Sequence, residues 1–169
     1  MRTFVFLLLI LSFAGFSVSG CTSTFTPYSK PEAPWATIQR VAVLPFTTPF
    51  ENTARQQVIT QLFTEQIRRT KLVEVVEVPS SPPERTIKEP TLQEIAKQYE
   101  ADAIFTGVVD DTQGTVVHIR LHDPATEEII WSGTYSLGPG AEFFSLRTQQ
   151  QQFQKSIRRI VREFSRKKR

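Results

Sequence analysis

The sequence predicts an α+β (α/β-type) fold, a mixed parallel and antiparallel sheet with helices packed on it, in the order βαβαβββα. Three observations predict it. A near-continuous apolar run at residues 41–44 (VAVL) is followed by an amphipathic stretch and a Val-rich run, the pattern of a βαβ unit. Residues 115–122 alternate polar and apolar, and a turn separates them from another apolar run. The chain then finishes in a long stretch whose apolar residues recur at three- and four-residue steps.

Each element follows in order. Residues 37–46 (TIQRVAVLPF) read as a strand covered on both faces and ended by Pro45. Residues 51–70 read as a helix, with Val58, Ile59, Leu62, Phe63 and Ile67 on one face. Residues 72–78 (LVEVVEV) form a second strand, parallel to the first because a helix connects them. Residues 79–90, with four prolines, are a loop. Thr91 caps a short helix with Glu94 in a capping box, and Leu92, Ile95, Ala96 and Tyr99 form its buried stripe. Residues 103–109 (AIFTGVV) are the third strand. In the fourth, 115–122, Val117, Ile119 and Leu121 share one face, and His118, Arg120 and His122 the other. Residues 128–137 are the fifth. The last helix runs from about Glu142 to Arg166, with Leu146, Phe153, Ile157, Ile160, Val161 and Phe164 inward.

The amino terminus has a different logic. Arg2 is followed by an apolar run, residues 4–16, too short for a membrane span, which needs ~20 apolar residues. A signal peptide fits better, because small residues Ser17, Ser19 and Gly20 precede the single cysteine. Val18-Ser19-Gly20-Cys21 resembles the bacterial lipobox, departing only at Val18, where Leu is commoner. That resemblance implies cleavage before Cys21, diacylglycerol on its sulfur and, in Gram-negative cells, an acyl chain such as palmitate on the new amino terminus. The plainer alternative is an ordinary secretory signal beside a bystander cysteine. Stable anchoring takes two or more signals, which two or three chains on Cys21 supply. Thr22 stands where Asp usually signals inner-membrane retention, so the expected location is the periplasmic face of the outer membrane.

The expected organisation is therefore residues 1–20 as a lipoprotein signal peptide, 21–36 as the acylated cysteine and a Pro-rich tether, and 37–169 as one globular periplasmic domain. The tether, with three prolines, is expected to be extended and poorly ordered, reaching at most ~50 Å. The high isoelectric point comes from one place. Residues 155–169 hold eight basic residues and one acid, whereas residues 21–154 hold 11 basic and 16 acidic. A mildly acidic domain with a basic helix is no nucleic-acid signature, and no nucleic-acid partner is expected.

Three stretches carry a family resemblance: residues 40–46 (RVAVLPF), 95–109 (IAKQYEADAIFTGVV) and 119–135 (IRLHDPATEEIIWSGTY). Together they resemble the CsgG/LpoB-like periplasmic lipoproteins, whose fold is similar to the TolB amino-terminal domain and to anticodon-binding domains. The PelC-type lipoproteins of polysaccharide export are similar to the same group. The resemblance covers roughly residues 37–137. It implies a non-catalytic envelope lipoprotein that oligomerises or docks on a larger machine. This chain lacks segments for the barrel-forming hairpins of CsgG and the long tether of LpoB.

Chemistry-bearing constellations are sparse. No G-x-S-x-G elbow is present, and no acid, base and nucleophile set emerges, so no catalytic residue is expected. His118 and His122 on one strand face lie ~13 Å apart, too far for one ion even with Asp123 beside them, so neither metal nor cofactor is expected. Asp110 and Asp111 read as turn residues. Trp131 is either core or an interface anchor. Trp35 is open between packing on the domain, seating at a lipid interface and touching a neighbouring subunit. The basic end of the last helix is open between a solvated face, attraction to anionic lipid and docking on an acidic partner or another copy. The functional expectation is a structural or assembly component of an envelope machine for polysaccharide or protein export, anchored to the membrane, with protein partners and homo-oligomerisation. The alternative is an LpoB-like activator of a cell-wall synthase.

Overall fold

The computed structural model describes residues 24–48, 53–79, 90–110, 116–136 and 146–169. Among the described residues, six strands and three helices follow in the order β1 (Thr24–Ser29), β2 (Arg40–Val43), α1 (Thr53–Thr70), β3 (Glu74–Glu77), α2 (Leu92–Tyr99), β4 (Ala103–Asp110), β5 (Val116–His122), β6 (Ile129–Ser136) and α3 (Leu146–Lys168). The strands form one sheet of order β1-β6-β5-β4-β2-β3. β2 pairs in parallel with β3 and β4, as the βαβ reading requires, and β4, β5, β6 and β1 pair antiparallel. The expected mixed sheet is present, with one strand more than expected.

That strand is β1. Residues 24–29 were expected to belong to a poorly ordered tether; they are instead a paired edge strand, Thr24 opposite Ser136 and Ser29 opposite Trp131. Pro27 misleads the sequence reading, but proline is tolerated on an edge strand, where one side of the ladder has no partner. Side-chain packing fixes β1 in place. Phe25 reaches Gly133 of β6, where a Cβ would meet the Phe25 ring at 3.3 Å, and Arg159 of α3 sits 5.4 Å from the centre of that ring. Lys30, just beyond the strand, donates to Glu128 at 2.5 Å, and this hydrogen bond raises the Lys30 pKa.

The two sheet faces are covered unequally. α1 and α3 lie on one face. Ile59, Phe63 and Ile67 from α1 and Ile157, Ile160, Val161 and Phe164 from α3 are buried there against β2, β4, β5 and β6. The aromatic rings run in a connected series. Phe46 lies 5.3 Å from Phe63, Phe63 lies 5.1 Å from Phe105, and Phe105 lies 5.3 Å from Phe164 and 6.3 Å from Trp131. Phe46 sits against Gly107 of β4 so closely that a Cβ there would lie 2.5 Å from the ring. Glycine is what permits this approach. The side chains of Leu146 and Phe153, expected on the inward face of α3, lie outside the described residues.

Among the described residues, the helix on the other face is α2. Thr91 caps it, accepting from the Glu94 amide while Glu94 accepts from the Thr91 amide at 2.7 Å, the predicted capping box. Ile95 and Ala96 pack on Ala42 and Ile104, a small second cluster over the β2 and β4 end of the sheet.

Candidate functional site

Beyond α2 the second face is an array of side chains set by register. Tyr28, Ser132, Arg120 and Thr106 stand in one cross-strand row, and Thr26, Thr134, His118 and Val108 in the next. Tyr28 and Val108 are exposed, at 51% and 40%. The two histidines face the same way, as predicted, but each is engaged within the sheet. His118 Nδ1 is 3.0 Å from Thr134 Oγ1, and His122 Nε2 is 3.1 Å from Thr106 Oγ1. Among the described residues, no group of three His, Cys, Asp or Glu is placed to hold a metal ion. Asp110 is the last residue of β4, and Asp111 lies outside the described residues.

The two tryptophans resolve differently. Trp131 is core, 1% exposed, with its ring 5.8 Å from Phe164. Trp35 packs on the domain, its ring edge-on to Phe164 at 6.1 Å, and its carbonyl accepts from Lys168 Nζ. Of its three readings, packing on the domain is the contact seen. The same contact gives one basic residue of the final helix a structural role: Lys168 ties the end of α3 to the segment after β1. Arg166 pairs with Glu163 at 2.6 Å. Cys21 and the lipobox residues lie outside the described residues. Among the described residues, no helix is long and apolar enough to cross a membrane.

The architecture defines a class: one mixed-sheet α+β domain with two long helices on one face and a short one on the other. Within that class the fold is that of PelC, the group anticipated from residues 40–46, 95–109 and 119–135. PelC from Paraburkholderia phytofirmans, a dodecamer, superposes with a TM-score of 0.59 at 16% identity, covering 83% of this chain and 96% of that one. Lipoprotein GNA1162 from Neisseria meningitidis gives 0.49 at 12% identity, covering 72% and 96%. The LpoB C-terminal domain from Salmonella enterica gives 0.35 at 14%, covering 60% and 84%. The PelC likeness establishes the fold; the two lower scores add no weight. No protein-family model matches the chain, and no curated protein matches it.

Sequence reasoning missed β1 and left the docking of Trp35 as one of three readings. The signal for β1 was present in "TFTPYS", where Thr, Phe, Thr and Tyr are strand formers. Nothing local signals the Lys168 contact, which spans nearly the whole chain.

Proposed function

We propose that this chain is an outer-membrane lipoprotein, acylated at Cys21 and facing the periplasm. It serves as a non-catalytic structural or assembly component of an envelope machine that exports polysaccharide or protein. The observation that supports this most is the PelC likeness over nearly all of that chain. The lipobox-like Val18-Ser19-Gly20-Cys21 stands directly ahead of the first strand and agrees with it. PelC is a dodecamer, and self-association of many copies is the mode of assembly proposed here. From Cys21 to Thr24 the chain reaches at most ~11 Å. Such a link holds the sheet at the membrane surface, and it counts against a synthase activator that must reach far from its anchor.

Mass spectrometry of the mature protein tests the anchor, with a lipidated Cys21 at the amino terminus expected. A free thiol there, or a chain starting elsewhere, defeats it. Native mass tests assembly: a closed ring of identical copies is expected, and a monomer at every concentration defeats that part. Crosslinking in intact cells should then capture export components rather than a cell-wall synthase.

A further inference from the structure

A cleft of about 370 Å³ opens between the carboxyl-terminal halves of α1 and α3. Arg69 reaches it from α1, and Arg158, Arg162 and Arg169 from the final helix and its end. Among the described residues, the one acidic partner of these four is Glu65, 3.7 Å from Arg69, and both side chains are largely exposed. An exposed pair at that distance neutralises little. Arg158 and Arg162 are four residues apart on one helix, a spacing at which like charges repel. The two helix ends supply roughly half a negative charge each, against four full positive charges. The cleft therefore holds more positive charge than the helix ends and Glu65 offset.

The remaining lining explains what the cleft can bind. Thr70 and Ser165 line it, but their hydroxyls donate to the carbonyls of Ile67 and Val161 at 2.7 and 2.8 Å. Donation into the cleft thus falls to the guanidinium forks and the Gln66 carboxamide, and buried Val161 gives it an apolar wall. Guanidinium forks match oxyanions, and they bind them in paired hydrogen bonds. A carboxylate offers two oxygens and one charge. A phosphate offers more oxygens and up to two charges, which suits several arginines at once.

We propose that this cleft binds a phosphate group. The phosphate comes either from a ligand in the aqueous phase or from a lipid headgroup. α3 ends beside Trp35, which follows the far end of β1, whereas the link from Cys21 enters β1 at Thr24. The length of β1, about 17 Å, lies between those two ends. The Arg169 end of the cleft thus lies far from an anchor at Cys21, whereas Arg158, next to the Arg159 that sits on Phe25, lies near it, so the vesicle arm of the test separates the two sources.

The test uses the full chain in neutral detergent, titrated with inorganic phosphate and pyrophosphate by phosphorus NMR at ionic strength held constant with chloride. Saturable binding is expected, weakened about tenfold for each guanidinium removed in Arg158→Gln and in Arg158→Gln/Arg162→Gln, with unfolding temperature unchanged or raised. Phosphatidylcholine vesicles with and without phosphatidylglycerol then identify the source. Equal effects of the two vesicles on bound phosphate support the aqueous ligand. Displacement only by the phosphatidylglycerol vesicles keeps the phosphate site and assigns it to headgroups. Binding that is unsaturable, or equal in wild type and double variant, overturns the site. So does a wild type that ignores phosphate while the variant changes oligomeric state, since the cleft is then a contact between copies.

Discussion

The two faces of one sheet differ sharply in what covers them. On the α1 and α3 face, residues from four strands and two helices join one continuous core that includes Trp131, Phe105 and Phe164. On the other, α2 covers Ala42 and Ile104 and leaves the β1, β6 and β5 side to Thr, Ser, His and Arg side chains. The same strands supply both, so the contrast arises from alternation along each strand rather than from the sheet itself. The α1 and α3 face holds the larger core; the other holds a small cluster under α2 beside a polar array.

Substitutions sharpen that contrast. Ile157, fully buried between α3 and the sheet, should show the largest loss on change to Ala, about 4 kcal/mol within the range for buried large-to-small changes. Chemical denaturation measures it, and a loss below about 1 kcal/mol would mean α3 does not hold the core. Gly107→Ala places a Cβ against the Phe46 ring, and overpacking of this kind should cost about 3 kcal/mol. Shrinking the ring in Phe46→Leu/Gly107→Ala should recover part of that loss, and equal loss in both variants would separate Gly107 from Phe46. Ile95→Ala, in the smaller cluster beneath α2, should cost about 2 kcal/mol because that site is less enclosed and collapses more readily. A cost equal to that of Ile157→Ala would erase the distinction between the faces. Arg120→Ala, on the exposed array, should change stability by less than about 0.5 kcal/mol. A larger loss in thermal unfolding would show that the array is structural after all.

Most of the fold was legible because its signals are local. Residues 41–44, the Ile59, Phe63 and Ile67 stripe and the Val117, Ile119 and Leu121 alternation each state which side faces the core. The Thr91 and Glu94 cap is equally local. β1 was hidden because its partner lies at the far end of the chain and Pro27 argues against a strand when pairing is unknown. The arginine cleft was half legible. The basic run of α3 stands in the sequence, but Arg69 joins it only when α1 and α3 lie side by side. The histidines show the reverse: their shared face was legible, while their Thr134 and Thr106 partners needed the register of three strands.

The pairing of β1 with β6 also orders events in time. Thr24 is among the first described residues to be made, yet its partner Ser136 follows almost the entire domain. Non-local pairing of this kind is slow to form, because a long loop must close before any contact rewards it. Until β6 is in place, β1 therefore has no partner among the described strands. A waiting strand is a hazard for wrong partners. Pro27, which removes one hydrogen-bond donor from the middle of β1, makes the waiting strand a poorer template for a stray chain. The residue that disguises the strand in the sequence is thus the one that guards it until its partner arrives.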